Sequence, residues 1–185
     1  DGDMGHFATM HIANTRRGLF FLADTAVNQE PDRDALVDIV RQVHKVVCRM
    51  NEKPVMAMLS YSNFGSNAAD AEPRRCAEAV RYIHEHYPEI EIDGEMQIDY
   101  ALDTELRDKT FPFNTIKGKR VNTLIFPSLG AANVSYKLMA AMGAAKIMGP
   151  IECGLKKAIY FANVNASERE LYELAMIASL DSDVC

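Results

Sequence analysis

A loop of small polar residues follows a short apolar segment in the first half of the chain. Residues 55–60 are mostly apolar and predict a buried strand, after which the chain becomes polar and contains a glycine. Backbone N–H groups and hydroxyls just beyond the carboxyl end of a strand bind anionic ligands in open α/β sheets. The candidate ligand groups for a phosphate or pyrophosphate are therefore Ser60, Ser62, Asn63, Gly65 and Ser66. A solvated turn with a helix-capping role is the alternative interpretation of the same residues.

Three further residues are candidates for the same site. Asp93 precedes Gly94 at the expected end of a strand, where a carboxylate orients a ligand hydroxyl, holds a cation or forms an Asx turn. Asn133 lies near the start of an expected helix, where it contacts a ligand or caps that helix. Gly149 permits a close backbone approach before Pro150, which shapes a ligand wall or a tight connection. The five histidines show no spacing typical of a metal site, so we expect no metal here.

The strands and helices that position these residues alternate along almost the whole chain. Apolar residues recur at helical spacing after Pro31, and a second amphipathic segment follows the serine-containing loop. We expect further helices at 98–107 and 131–142, and a last helix with Ser167 and Glu170 as a capping box. The expected strands are 7–12, 19–23, 55–60, 90–92, 121–126, 144–148 and 158–161. This order predicts a mainly parallel sheet covered by helices, with antiparallel strands from an opening hairpin at one edge.

Composition limits the classes of function. The 185 residues suffice for one domain with a sizeable core, and 48% of them are hydrophobic. The net charge of −6 argues against nucleic-acid binding, which needs a basic face. There is no run of about 18 apolar residues to predict a membrane span, and no signal peptide is visible. The four scattered cysteines form no metal or redox motif, so we expect a cytoplasmic protein with reduced thiols.

Six short segments occur in order along the chain. They are 23–28 (ADTAVN), 57–66 (AMLSYSNFGS), 93–97 (DGEMQ), 125–133 (IFPSLGAAN), 136–138 (YKL), and 148–151 (MGPI) with 154–155 (GL). Together they resemble the phosphate acetyl/butyryltransferase family, from about residue 18 to about residue 180. That family moves an acyl group between coenzyme A and phosphate. The resemblance therefore implies an acyl-coenzyme A, coenzyme A and phosphate as ligands.

The resemblance implies an isocitrate/isopropylmalate dehydrogenase-like fold, in which a three-layer α/β/α second domain is inserted into the first. Residues 1–162 then correspond to the inserted domain. Residues 163–185 correspond to the helix that returns to the first domain, most of which is absent from this sequence. The chain begins at Asp1 rather than at a methionine, which we interpret as the start of a piece of a longer protein.

The resemblance also locates a departure from the active transferases. Where these enzymes carry a serine–arginine pair and a nearby aspartate, this chain has Asn163, Val164 and Glu170. The change removes a cation for phosphate, because arginine binds phosphate through two parallel hydrogen bonds. By the same resemblance, Asn163 is a candidate ligand contact. Glu170 is a candidate base for the coenzyme A thiol, because a thiol is mostly protonated at neutral pH.

Bacterial NADP-dependent malic enzymes carry a similar domain at their C-terminus, and segments 63–66, 93–96 and 131–133 resemble that version. This implies a regulatory domain that binds acetyl-coenzyme A. The parent chain decarboxylates malate to pyruvate, with NADP and a divalent metal held elsewhere. Two alternatives remain open: an active phosphate acetyl- or butyryltransferase with Glu170 as base, and an oligomerisation module built on the apolar helix at 131–142. We expect a homo-oligomer, a dimer or larger.

Overall fold

A six-stranded sheet forms the centre of the fold. The computed structural model describes residues 5–155, 160, 162 and 166–182. The strands are β1 (Ala8–Thr15), β2 (Gly18–Ala23), β3 (Met56–Leu59), β4 (Ile92–Met96), β5 (Thr123–Ile125) and β6 (Ala145–Cys153). Their spatial order is β4-β3-β5-β2-β1-β6, and within this sheet β1 alone runs antiparallel to its neighbours. The mainly parallel α/β fold predicted from the sequence is confirmed.

The predicted opening hairpin is also present, and it lies one strand inside the sheet. Thr15 pairs with Gly18 across a turn in which the glycine has a φ of +104°, a conformation that side chains rarely adopt. β6 pairs with the outer side of β1, so β6 rather than the hairpin forms this edge. The register of β1 and β6 shifts between Met10 and Ile12, which makes a β-bulge opposite His11.

Helices cover both faces of the sheet. They are α1 (Arg33–Arg49), α2 (Ala71–His86), α3 (Ile98–Leu102), α4 (Thr104–Thr110), α5 (Leu129–Ala141) and α6 (Glu168–Ser182). α1 begins after Asp32, whose side chain accepts a hydrogen bond from the Ala35 amide. α1 and α2 pack on one face, against buried sheet residues such as Met10, Met56 and Ile92. Burying a side chain of this size contributes about 1.5–3 kcal/mol.

The opposite face is covered less completely. α3 contributes Ala101 and α5 contributes Ala132 to a second core, which includes Leu22 and Leu124 from the sheet. α5 begins after Ser128, whose hydroxyl accepts a hydrogen bond from the backbone amide three residues later. Between α3 and α5 a strip of the apolar sheet face stays accessible. In the part of the chain that the structure describes, no helix combines the length and the apolar character needed to span a membrane.

The strand predicted at 90–92 was placed too early, because it begins at Ile92 and continues to Met96. Gly94 explains the difference. It has a φ of +132°, and a Cβ at this position would lie 2.5 Å from the carbonyl oxygen of Met58 on the neighbouring strand. A residue that normally ends a strand therefore lies inside this one, where two backbones approach closely.

Two other predicted elements also differ from the structure. The helix predicted at 98–107 is divided at Asp103, whose side chain accepts the Leu106 amide and starts α4. The strand predicted at 144–148 continues to Cys153, because it pairs with β1 along nearly its whole length. Most of the strand predicted at 158–161 lies outside the described residues, although Tyr160 forms a bridge to β6.

Candidate ligand site at the carboxyl edge of the sheet

The polar segments identified from the sequence meet at one edge of the sheet. β2, β3, β4 and β5 are parallel, so their carboxyl ends lie at the same edge, here called the carboxyl edge. The helices that follow β2 and β3 pack on one face, and those that follow β4 and β5 pack on the other. Neighbouring strands whose connections leave in opposite directions open a crevice between their ends. Such crevices hold ligands in open α/β sheets.

The loop at 60–66, here called the serine loop, is closed by a carboxylate from the neighbouring strand. Glu95 is 1% exposed. Its Oε1 accepts hydrogen bonds from the Ser62 hydroxyl and the Gly65 amide, both at 2.8 Å. Ser62 is itself fully buried, so its hydroxyl shapes the loop from within. A ligand role for Ser62 and Gly65 stays a prediction, while their part in the loop's own structure is direct.

The end of β4 holds the same loop through further hydrogen bonds. The Phe64 amide donates to the Glu95 carbonyl oxygen, and the Gln97 amide donates to Asn63 Oδ1, both at 2.8 Å. Within the loop, the Asn63 amide donates to Ser66 Oγ at 3.0 Å. Hydrogen bonds within the chain therefore define the shape of the serine loop, and the polar groups of Asn63 and Ser66 contribute to that shape.

Ser60 and Tyr61 connect the serine loop to a cavity of about 1210 Å³. The cavity lies between α3 and α5, and the apolar face of the sheet forms its floor. At the carboxyl edge, Ser60 Oγ accepts a hydrogen bond from the Ser62 amide at 3.2 Å and lies 3.5 Å from Glu72. The floor consists of Phe20, Leu22, Leu59, Leu124 and Phe126. The cavity thus combines a hydroxyl at its mouth with an apolar interior, which is typical of ligand pockets.

A cation that the sequence analysis missed lies beside this mouth. Arg75, in α2, is partly buried and donates from Nη2 to the carbonyl oxygen of Pro127 at 3.2 Å. Its Nε is buried and has no hydrogen-bond partner within the described structure. Pro127 and Glu72 both line the cavity, so Arg75 lies at the carboxyl edge. Its guanidinium group places a positive charge beside the mouth, although Nε itself is enclosed by the protein. Helical periodicity marked α2 as amphipathic but could not show which of its arginines reaches this edge.

The sequence predicted Asp93 at the end of a strand. In the structure it lies inside β4. It is buried, and its carboxylate accepts hydrogen bonds from the Gly94 amide at 2.9 Å and from the Thr115 amide at 2.5 Å. The Thr115 hydroxyl in turn donates to the Ile92 carbonyl oxygen. These bonds attach the segment after α4 to β4, and a ligand role for Asp93 stays a prediction.

Asn133 and Gly149, which are distant in sequence, lie around one pair of stacked rings. The rings are those of His11 and Tyr136, with centroids 4.4 Å apart. Asn133 Nδ2 lies 3.5 Å from the Tyr136 hydroxyl, and a Cβ on Gly149 would lie 2.9 Å from His11 Cδ2. Asn133 does not cap its helix, because Ser128 does so. Gly149 lies within β6 rather than in a turn after it, and it allows the His11 ring to approach the strand closely.

His11 belongs to a buried chain of hydrogen bonds that leads to Asp24. His11 Nδ1 shares a hydrogen bond of 2.8 Å with the Thr25 hydroxyl, and the Thr9 hydroxyl donates to Asp24 at 2.6 Å. The Asn28 amide also donates to Asp24 at 2.6 Å. Burial lowers the pKa of His11 to about 4, although the Asp24 carboxylate acts in the opposite direction. The ring is therefore neutral at pH 7, and this network fixes the segment that follows β2.

Glu152 adds a second carboxylate to this region. It pairs with Thr9 across β6 and β1, and its Oε2 is buried without a hydrogen-bond partner among the described residues. Burial, together with repulsion from Asp24, raises the pKa of Glu152. His11 and Glu152 were missed from the sequence because they form no spaced motif. The pairing of β1 with β6 is what brings them together.

Two residues that the sequence indicated, Asn163 and the side chain of Glu170, lie outside the described residues. Their proposed contacts stay predictions. Among the residues that the structure does describe, no three or more histidine, cysteine or acidic side chains are grouped so that they could hold a metal ion.

Comparisons with known proteins identify relatives of two kinds. A family model described as phosphate acetyl/butaryl transferase matches residues 3–179. An NADP-dependent malic enzyme from Haemophilus influenzae is 34% identical over 163 residues, which are 88% of this chain and 21% of that protein. A phosphate acetyltransferase from Treponema pallidum is 35% identical over 170 residues, which are 90% of this chain and 50% of that protein. A phosphotransacetylase structure from Streptococcus pyogenes has a TM-score of 0.90 at 26% identity, covering 98% of this chain and 55% of that one. The chain thus spans about a fifth of this malic enzyme's length and half of this transferase's length.

Proposed function

The chain belongs to the phosphate acetyl/butyryl transferase family, and from this premise we propose that it binds acetyl-coenzyme A and regulates an NADP-dependent malic enzyme. The parent enzyme decarboxylates malate to pyruvate, and its NADP and divalent metal are bound elsewhere in the parent chain. In the same proposal, residues 1–162 form the inserted second domain of the family, and residues 163–185 return to the first domain.

The observation that carries the proposal is the serine loop beside the cavity. Hydrogen bonds from Ser62 and Gly65 to Glu95 hold this loop, so binding at the loop costs less ordering entropy than binding to a mobile segment. Ser60 lies at the mouth of a cavity with an apolar floor, which suits the acyl-pantetheine part of the ligand. The positive charge of Arg75 lies at the same edge and attracts the phosphates of the ligand.

Regulation is preferred over turnover because of the sequence after the last family segment. Asn163 and Val164 stand where the resemblance leads us to expect a serine–arginine pair, so a cation for the transferred phosphate is missing there. A domain that binds the thioester without transferring it still acts on a distant active site. It does so if its affinity for acetyl-coenzyme A differs between two states of the parent protein.

The test is malate-dependent reduction of NADP by the complete protein, with and without acetyl-coenzyme A. We expect the rate to change with acetyl-coenzyme A, and we expect Arg75→Gln to raise the concentration needed for half of that change. Arg74→Gln is the matched control, because Arg74 is the neighbouring residue in α2 and is exposed. A rate that stays constant at all concentrations of acetyl-coenzyme A refutes the regulatory proposal.

An active acyltransferase is the second candidate. The likeness to the Treponema pallidum enzyme over 90% of this chain favours it as much as the likeness to malic enzymes favours the first candidate. Here the chain contributes to transfer of an acyl group between coenzyme A and phosphate. Formation of a thioester from acetyl phosphate and coenzyme A, by a protein without malate activity, supports this candidate. Glu170→Gln should then abolish turnover if Glu170 is the base, and an unchanged rate excludes that role.

Self-association is proposed as a property of either protein. α5 exposes Val134 and Leu138 at 66% and 55%, and its C-cap residue Met142 is 74% exposed, so the three follow the four-residue spacing of one helix face. This stripe lies at the rim of the cavity, and a second copy packs on the stripe. Sedimentation equilibrium of Leu138→Glu against the unsubstituted protein tests this, and an unchanged mass contradicts it. We also propose a cytoplasmic location, with which the free thiols of Cys48 and Cys76 agree.

A further inference from the structure

Four aromatic rings form a cluster that reaches the surface next to the serine loop. The rings belong to Phe64, Tyr100, Phe111 and Phe113, and we call the cluster the aromatic platform. The centroid of Phe64 lies 4.8 Å from that of Phe111 and 5.2 Å from that of Phe113. Tyr100 lies 5.0 Å from Phe111. These edge-to-face and tilted contacts are the preferred arrangements of aromatic pairs, so they fix the orientation of the outermost ring.

The outermost ring is Phe113, which is 66% exposed. Burial stabilises an aromatic side chain, and the exposed part of the Phe113 ring does not have this stabilisation. No other residue of the described chain covers that part. Its partner Phe64 is part of the serine loop and has a φ of +44°, a region where side chains other than glycine are rare. The hydrogen bond from the Phe64 amide to the Glu95 carbonyl oxygen holds this conformation. The aromatic platform is therefore continuous with the loop that the proposed ligand contacts.

The segment that carries Phe111 and Phe113 is basic, although the chain as a whole has a net charge of −6. Residues 107–120 include five basic side chains and one acidic side chain: Arg107, Lys109, Lys117, Lys119 and Arg120 against Asp108. Lys119 is paired with Glu91, and Arg107 with Asp108. Lys109 and Lys117 are exposed and take part in no ion pair within the described structure. An acidic protein thus places unpaired positive charge on the segment that also presents an exposed aromatic ring.

We propose that the aromatic platform binds the adenine ring of coenzyme A by stacking on Phe113, with Lys109 and Lys117 facing the ligand's phosphates. The inference rests on the proposed function, because it assigns a place to the nucleotide end of the same ligand. Adenine offers a flat π face, which stacks on an aromatic ring without needing a specific hydrogen bond. The phosphates supply the negatively charged partners that the two lysines lack. The pantetheine arm then extends toward the serine loop and Ser60.

The experiment is calorimetric titration of the complete protein with coenzyme A and, separately, with 4′-phosphopantetheine, which lacks the adenosine 3′,5′-bisphosphate part. We expect Phe113→Ala to raise the Kd of coenzyme A by about 5- to 150-fold and to leave the Kd of 4′-phosphopantetheine unchanged. Phe113→Trp keeps a flat ring and should restore binding of coenzyme A. Tyr172→Ala is the matched control, because Tyr172 is also aromatic and also 66% exposed but lies on α6.

The lysines are tested with the double substitution Lys109→Gln and Lys117→Gln. We expect a rise of about two- to tenfold in the Kd of coenzyme A, which disappears as salt is raised because exposed charges are screened. Failure of the two proposals is distinguishable. If the unsubstituted protein binds neither coenzyme A nor 4′-phosphopantetheine, the proposed function fails. If it binds coenzyme A and Phe113→Ala binds it equally well, or if both ligands bind with the same affinity, the adenine platform alone is overturned.

Discussion

Glu95 is the residue whose removal tests most directly how the serine loop is built. It is 1% exposed, and its Oε1 accepts from the Ser62 hydroxyl and the Gly65 amide. Glu95→Ala leaves the buried Ser62 hydroxyl without this acceptor, which costs about 1–3 kcal/mol. Gly65 is exposed, so its amide can donate to water instead, and the cost of losing its bond to Glu95 lies at the lower end of that range. The second carboxylate oxygen of Glu95 is buried without a partner, and alanine removes that desolvation cost. The expected loss in the free energy of unfolding is about 2–3 kcal/mol.

Glu95→Gln separates the charge of this residue from its shape. The amide oxygen still accepts from Ser62 and Gly65, but a bond to a neutral acceptor is roughly half as strong as one to a carboxylate. Release of the buried charge offsets part of this loss. We therefore expect Glu95→Gln to lower the free energy of unfolding by about 1 kcal/mol, which is less than the loss expected for Glu95→Ala. Glu52→Ala is the control, because Glu52 is exposed and a surface change of this kind stays within about 0.5 kcal/mol.

The assay is urea unfolding followed by circular dichroism, combined with hydrogen exchange of the loop amides. The denaturant slope should stay constant among the variants, since the surface exposed on unfolding is the same. Exchange at Gly65 and Phe64 should accelerate in Glu95→Ala and remain slow in Glu95→Gln. If Glu95→Ala is as stable as Glu52→Ala, the carboxylate does not organise the loop and the argument for a preformed site is refuted.

Three other outcomes follow from buried groups elsewhere. Gly94→Ala should lower the free energy of unfolding by about 3 kcal/mol, because its Cβ would lie 2.5 Å from the Met58 carbonyl oxygen. Gly118→Ala is the control: its Cβ would meet no atom within 4 Å, so the loss should be about 1 kcal/mol. Equal losses for the two variants in urea unfolding contradict this prediction. Arg107→Ala should cost about 3 kcal/mol or more, because the fully buried guanidinium donates to two backbone carbonyl oxygens at 3.1 and 2.8 Å; a loss below about 1 kcal/mol in the same assay excludes that role. The pKa of His11 is about 4 in the folded chain and about 6.5 when unfolded, so the unfolded chain binds more protons between these values. The contribution of neutral His11, up to about 3 kcal/mol, is complete above pH 6.5 and is lost as the pH falls toward 4. His11→Gln should flatten that part of the stability–pH curve, and an unchanged slope rules the explanation out.

Apolar periodicity was sufficient to predict most of the fold. The segments around α1, β3 and β5 have continuous apolar patterns, so their class and approximate bounds followed from spacing alone. β4 was placed too early because Asp93 and Gly94 interrupt its apolar run. Both residues lie inside the strand for reasons that involve other segments. Asp93 binds the Thr115 amide, and Gly94 permits contact with Met58. Contacts across such distances leave no trace in local spacing.

The candidate site shows the same division. Serine and glycine types predicted a polar loop after β3, and the structure has a loop there whose hydroxyl and amide groups bind Glu95. The ligand role of that loop stays a prediction. The sequence did not reveal that Glu95 would occupy the groups of Ser62 and Gly65, since the pairing depends on β3 and β4 being neighbours in the sheet. The polar network around His11 was invisible for the same reason. Residue types indicate which chemistry is available, whereas strand order decides which groups remain free for a ligand.

Which groups remain free also decides whether the site can catalyse acyl transfer or only bind an acyl-coenzyme A. A transferase needs a base that is free to take the thiol proton of coenzyme A. At the described carboxyl edge, Asp24 accepts five hydrogen bonds and Glu95 Oε1 accepts two. These oxygens hold the segments that follow β2 and β3, so the chain itself occupies their acceptor positions. The positive charge of Arg75 and the exposed ring of Phe113 are suited to holding a ligand rather than to moving a proton. Glu152 Oε2, like Glu95 Oε2, is a carboxylate oxygen that the described chain leaves without a hydrogen-bond partner, so a test of turnover here includes Glu152→Gln as well as Glu95→Gln.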